Sequence, residues 1–248
     1  MTMRYAIYFT PPADDPLVAA AEAWLGRSVF GRDVAPVTVG GVKAEERAPL
    51  VASPARYGFH GTLKAPFRLR EGEDEASLVA ALDAYCAERA PLPALPLAVT
   101  SLDGFLALTP VASADALVDL AGEVVRHFDR FRAPLSDADL ARRNPERLAP
   151  SLRANLEAWG YPYIFDAFRF HMTLTERLSA NDAARVLPVL VAHFGDMLAE
   201  PVAMDRLALY VETAPGAPFT CLHEATLAGV AEPGREMAGL PGKTETWT

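Results

Sequence analysis

Two short segments of this 248-residue chain carry the same frame. Gly58-Phe59-His60-Gly61-Thr62-Leu63-Lys64 and Arg169-Phe170-His171-Met172-Thr173-Leu174-Thr175 both contain Phe-His-x-Thr-Leu. Each alternates polar and apolar residues, the pattern of a half-buried strand, and side chains two apart on a strand point the same way. On that reading Arg56, His60, Thr62 and Lys64 share one face of a strand near 56–69. Arg169, His171 and Thr173 share one face of a second strand near 168–175. If the chain brings the strands together, two imidazoles and two hydroxyls converge with cationic groups beside them. An imidazole titrates near neutrality, so one can take a proton while its partner gives one. Hydroxyl groups with Arg or Lys suit the non-bridging oxygens of a phosphorus centre. The set is equipped to open a cyclic phosphodiester with water, His60 and His171 moving protons and Thr62, Thr173, Arg56, Lys64 and Arg169 holding the substrate. Which histidine is acid and which is base is left open by the sequence.

The paired frame resembles the 2H phosphoesterase superfamily, named for two H-x-T-x motifs, which includes 2′–5′ RNA ligase-like proteins and cyclic phosphodiesterases. Arg56-Tyr57-Gly58-Phe59-His60-Gly61-Thr62-Leu63-Lys64-Ala65-Pro66-Phe67 and Trp159-Gly160-Tyr161-Pro162-Tyr163 are similar to a bacterial branch of unknown function whose members are labelled with phosphonate metabolism. The likeness covers about residues 3–228. Gly61 departs from it, standing where a hydrophobic residue is usual, but on the side away from the reactive face. The resemblance implies an α+β fold, two pseudo-symmetric lobes of antiparallel sheet lining a central cleft, with helices outside and one H-x-T strand in each lobe. It implies hydrolysis of a small cyclic phosphodiester, with a nucleoside 2′,3′-cyclic phosphate, a 2′–5′ linked oligonucleotide and a cyclic ribose phosphate as candidate substrates.

Composition restricts the alternatives. With 51% hydrophobic and 22% charged residues the chain reads as an ordinary soluble domain. No apolar run is long enough for a bilayer, so no membrane partner is expected. The N-terminal ten residues alternate like a strand and lack a signal peptide's apolar stretch, which makes a cytoplasmic location the expectation. Cys86 and Cys221 read as free thiols. No Cys/His cluster has zinc-ligand spacing, so neither a metal nor a cofactor is expected. The net charge of −9 disfavours long nucleic acid. A small phosphorylated ligand, or an RNA end, fits better, because Arg56 to Arg70 holds four cations and no acid. A monomer is expected.

The elements that must position these groups follow from periodicity. Strand-like Arg4–Thr10 precedes a helix over Asp14–Leu25; residues 31–50 read as loop. After the first motif come a helix over Glu75–Arg89, two strands turning at Asp103-Gly104, and a helix capped by Ser113 running to about Phe131. A polar connector spans about 137–160, interrupted at Asn144-Pro145 and Ala149-Pro150. The second motif is followed by a helix over Ala180–Phe194 containing Pro188, then paired strands over Met204–Glu212 and Phe219–Leu227. The expected organisation is one two-lobed domain over 1–228 with a flexible tail over 229–248. The similar order of elements in the two halves suggests duplication.

Competing readings attach to single residues. Tyr8, on the first strand, is a substrate contact or a core residue. Arg142-Arg143 reads as a solvated helix face, and Tyr161-Pro162-Tyr163 as a base-stacking surface or a packed turn. His127, His193 and His223 read as structural. At the level of function, a non-catalytic module for phosphate or an RNA end is one alternative, though phosphate binding alone has no need of two histidines. A metal hydrolase is another, weakened by the scarcity of carboxylates near the motifs, where only Asp166 and Glu176 occur.

Overall fold

The computed structural model describes residues 3–230. The first half of the chain runs β1 (Arg4–Phe9), α1 (Pro16–Leu25), α2 (Ala44–Arg47), α3 (Ala52–Tyr57), β2 (Gly61–Phe67), α4 (Glu75–Ala87), β3 (Leu92–Leu95), β4 (Leu97–Leu102), β5 (Phe105–Pro110) and α5 (Asp115–His127). The second half runs α6 (Asp137–Arg142), α7 (Pro150–Trp159), β6 (Met172–Thr173), α8 (Ala180–Phe194), β7 (Val202–Met204), β8 (Arg206–Glu212) and β9 (Thr220–Thr226). The expected tail over 229–248 falls almost wholly outside the described residues.

Local chemistry sets several of these boundaries. Asp15 caps α1 by accepting from the Leu17 amide at 2.7 Å, and Gly26 closes the helix at φ 72°. Asp103 and Gly104, both at positive φ (48° and 91°), form the two-residue turn that matches the twist of β4 and β5. Ser113 does not cap α5; Ala114 occupies that position and Ser113 bonds the side chain of Asp115 instead. Within 31–50 the chain is loop apart from the Val39–Val42 bridge, the single turn α2 and a 3-10 turn over Ala48–Leu50.

Seven strands form one antiparallel sheet in the order β4-β5-β6-β2-β1-β8-β9, and β3 and β7 pair separately. The fold is α+β with helices at the periphery, as expected. The sheet has two wings, β4-β5-β6 and β2-β1-β8-β9, which meet where the two motifs touch. These wings are not the two halves of the sequence. The amino-terminal helix α1 packs on α8, which covers β4 and β5, whereas α4 covers the carboxy-terminal strands β8 and β9. Chain order and spatial order are therefore interleaved. The main core fills one face of the sheet, with Leu63, Met172 and Leu174 from the motifs inside it. A smaller cluster of Ala6, Tyr8, Val29, Ala208, Tyr210 and Phe219 covers part of the opposite face.

Candidate active site

The first motif is delivered by a helix-to-strand junction, not by one long strand. Pro54 sits in the first turn of α3, where its missing N–H costs no helix bond, and Gly58 ends the helix at φ 76°. A Cβ on Gly58 would overlap Val29 Cγ1, so both conformation and space select glycine. The next carbonyl, Phe59, is held by the hydroxyls of Thr10 at 3.0 Å and Tyr210 at 3.4 Å. His60 follows, and β2 begins at Gly61.

The second motif is almost free of ladder bonds. Only Met172 and Thr173 pair as strand, not the whole of 168–175. Past them the chain bends, because the Leu174 and Thr175 amides both turn to the Leu106 carbonyl and the Thr175 hydroxyl takes the Leu106 amide at 2.9 Å. Trp24 Nε1–H anchors the Leu174 carbonyl at 2.8 Å.

Gly61 pairs antiparallel with Met172. Both point into the core, and both are fully or nearly buried. A Cβ on Gly61 would strike the Phe170 ring, standing 2.6 Å from its Cζ, so the departure noted at Gly61 makes room for the Phe of the other motif. The residues on either side of Gly61 and Met172 project from the other face. His60, Thr62, His171 and Thr173 all line one cavity of about 440 Å³ there. Tyr8, Tyr57, Phe105, Arg4, Arg143 and Tyr161 also line it.

Each imidazole is fixed in the same way. His60 Nδ1 lies 2.9 Å from the Gly58 carbonyl, and His171 Nδ1 lies 2.7 Å from the Arg169 carbonyl. A carbonyl only accepts, so Nδ1 carries hydrogen in both rings and each neutral imidazole keeps its lone pair on Nε2. Nε2 of His60 stands 3.2 Å from the Thr62 hydroxyl, which donates to it. Tyr8 lies against His60 with ring centroids 3.9 Å apart and planes 25° apart. Phe105 lies 5.6 Å from the His171 ring. Burial lowers the His60 pKa to about 4, against the Gly58 bond that favours the charged form, and His171 lowers it further. Burial also lowers His171, partly offset by the Arg169 carbonyl. Both imidazoles are thus neutral at pH 7 in the unliganded cleft.

The cations take different places from those expected. Arg56 sits in α3, bonded to Glu212 and to the Ala217 carbonyl, and does not line the histidine cavity. Lys64 does not line it either. Tyr8 pairs with Thr62 but its neighbour Ile7 pairs with Lys64, so β2 carries an extra residue at Leu63. That bulge reverses the alternation and sends Lys64 to bond Asp129 and the Val125 carbonyl, both at 3.1 Å. Burial lowers its pKa to about 8, opposed by Asp129. Arg169 is exposed and paired with Asp103; its backbone, not its guanidinium, serves His171. Tyr8 is buried and reaches the cavity as the surface on which His60 rests.

Arg143 and Tyr161, which the sequence left as a solvated face and an undecided turn, both reach the cavity, the guanidinium 4.9 Å from the Tyr161 ring. Their proximity was not readable because the Asn144-Pro145 break folds the connector back over the sheet. Arg4, Tyr57 and Phe105 carried no sequence signal. Glu176 lines the cavity, but its carboxylate accepts from the Ser53 amide at the start of α3. His127, His193 and His223 lie elsewhere, against Tyr85, the Ala20 carbonyl and Asp83. Among the described residues no three His, Cys, Asp or Glu side chains are grouped as metal ligands, and no helix is long and apolar enough to cross a membrane. Cys86 and Cys221 are free thiols.

Comparison with known proteins places these observations in a family. A family model described as "Protein of unknown function (DUF1045)" matches residues 62–220. A protein of Janthinobacterium sp. (strain Marseille), named ribose 1,5-bisphosphate phosphokinase PhnN, is 39% identical over 243 residues, which is 96% of this chain and 53% of that protein. The protein of the same name from Laribacter hongkongensis (strain HLHK9) is 39% identical over 217 residues, covering 88% and 50%. The chain therefore spans about half the length of the curated relatives it matches. Among solved structures, E. coli LigT complexed with NADP+ aligns over 91% of this chain and 98% of its own, at 16% identity and a TM-score of 0.39.

Proposed function

This chain belongs to the DUF1045 family, and we propose that it is a 2H-type phosphoesterase that opens a small cyclic phosphodiester with water, without a metal ion. The observation that carries this reading is the matched pair of imidazoles in one cavity, each locked through Nδ1 by a backbone carbonyl, so that the Nε2 lone pair stays available for a proton, on His60 beside the Thr62 hydroxyl. Simple anion binding would not call for two histidines held as neutral bases.

His60 is the base in this reading, because its lower pKa keeps Nε2 unprotonated. It takes a proton from water as the water oxygen attacks phosphorus. The ester P–O bond on the far side breaks, and the departing alkoxide takes a proton from His171. The product is one molecule that carries a phosphomonoester and the freed hydroxyl; His60 ends protonated and His171 neutral, and solvent restores both. His171 enters turnover as imidazolium, a form the anionic diester favours by its charge. Thr62 and Thr173 hold the non-bridging oxygens. A cytoplasmic monomer acting on small metabolites is part of the same proposal.

The curated relatives bear a name that refers to ribose 1,5-bisphosphate. A cyclic ribose phosphate is therefore a substrate candidate beside the nucleoside 2′,3′-cyclic phosphates, and phosphonate metabolism a candidate setting. A panel of both kinds, incubated with the protein in excess EDTA and followed by phosphorus NMR, tests the reading. Conversion of at least one diester to a monoester supports it. No conversion in EDTA, with conversion restored by one divalent ion, would replace it with metal-assisted hydrolysis.

A further inference from the structure

A second cavity, of about 520 Å³, adjoins the histidine cavity and shares Arg4, Tyr57, Arg143 and Tyr161 with it as a common wall. Its charge is unusual for a chain with a net charge of −9. Seven cations line it, and the carboxylates are shared among them. Glu212 serves Arg4 and Arg56, Asp129 serves Lys64 and Arg132, and Asp139 serves Arg68 and Arg142. Arg143, half-buried, has no carboxylate partner among the described residues, and burial lowers its pKa. Seven cations against three carboxylates leave four positive charges in excess around one cavity.

Such an excess is costly unless something anionic completes it. Like charges repel, and a desolvated guanidinium without a partner loses its hydration. Neither the helix face nor the sheet edge explains it, since six of the cations converge on acids that could each have been satisfied by one. A guanidinium cluster of this kind matches the geometry of a phosphate dianion, which accepts bidentate bonds on several oxygens.

We propose that this basic cavity is a second anion subsite, which holds a terminal phosphomonoester of the substrate while its cyclic diester lies at the two histidines. The inference rests on the phosphoesterase reading and narrows it. The substrate class is a cyclic phosphodiester of a sugar or nucleoside that already carries another phosphate. The shared wall of Tyr57 and Tyr161 would lie along the sugar that joins the two groups.

Adenosine 2′,3′-cyclic phosphate with and without a 5′-phosphate isolates the contribution of the second group. The expected result is a kcat/KM at least about tenfold higher for the 5′-phosphorylated compound, expressed mainly in KM. In Arg143→Ala that ratio falls at least about fivefold, and Arg143→Lys, which keeps the charge, retains most of it. Equal kcat/KM values in the wild type, or an unchanged ratio in Arg143→Ala, would overturn the subsite. A binding arm separates this outcome from failure of the hydrolase reading. His171→Ala protein, titrated calorimetrically with each compound, should bind the 5′-phosphorylated one at least about tenfold more tightly, whether or not the wild type turns either over. Equal binding there overturns the subsite even if hydrolysis is observed.

Discussion

Gly61 and Met172 face each other across the antiparallel step that joins β2 to β6. In antiparallel pairing the flanking residues face each other too, so the register sets His60 opposite Thr173 and Thr62 opposite His171. Directly opposed residues project from the same face, and diagonal neighbours lie about 7–8 Å apart. Both motifs thus turn their histidine and threonine to one cavity, about the Gly61–Met172 pair. In the proposed mechanism one phosphorus centre lies between the two imidazoles.

The rate should peak on the acid side of neutrality. kcat/KM reports the free enzyme, where His60 loses its proton near pH 4 and His171 below its ordinary 6.5. The proposed mechanism requires His60 neutral and His171 charged, so kcat/KM should rise as pH passes about 4 and decline on approaching neutrality. A pH profile from 3.5 to 9 checks it; a plateau extending above pH 8 would contradict the assignment of His171 as acid.

The Tyr8 ring should control where the acid limb falls. Removing it in Tyr8→Ala opens His60 to water and relieves the desolvation that lowers its pKa, so the acid limb moves to higher pH. Tyr8→Phe keeps the stacked ring and should leave the limb in place. The same movement in both variants would mean that the hydroxyl, not the ring, is responsible.

Gly58→Ala should be damaging although it adds one methyl group. The new Cβ meets Val29 at a φ of 76°, which together should cost on the order of 2 kcal/mol. Relief by rotation would move the carbonyl that orients His60. Chemical denaturation should show the lost stability, and kcat should decline at least about tenfold. Gly216→Ala, at a similar φ of 86° but in open space, is the comparison that separates strain from site geometry.

Folding should also become less favourable in acid through His60. Its folded pKa, about 4, lies below the unfolded value, about 6.5, so the unfolded chain takes up the proton first. The contribution is complete above about pH 6.5 and is lost as pH falls to about 4, on the order of 3 kcal/mol. Urea unfolding at pH 7.5 and pH 4.5 should show a smaller loss in His60→Gln than in the wild type. Equal losses would show that His60 is not buried as a neutral group.

Much of this arrangement is legible in the sequence, where short-range rules govern it. Alternation around His60-Gly61-Thr62 and His171-Met172-Thr173 is enough to put the four polar residues on one face. Asp103-Gly104 announces its hairpin because two positive φ angles require those residue types. Arg56 and Lys64 escaped the same logic for separate reasons. Gly58 ends a helix where a strand was expected, and the bulge at Leu63 inverts the faces beyond Thr62. The helix end has a local signal in Gly58 that the alternation around His60 masks, whereas the bulge depends on pairing with β1 and is not encoded within its own segment. The expectation of duplication in chain order met a similar limit, since α1 crosses to the wing covered by α8. Arg143 reaches the cleft only because the connector folds back, a long-range event that left a surface-like Arg-Arg pair in the sequence.

The most direct test of the central idea, that His60 and His171 act as a pair on one phosphate, is a double-mutant cycle on a cyclic phosphodiester that the wild type hydrolyses. His60→Ala and His171→Ala should each lower kcat at least about 10²-fold with the fold intact by circular dichroism, and the double variant should be little slower than either single one, because the two groups work as a unit. Near wild-type turnover in either single variant, or fully additive losses in the double variant, would contradict it.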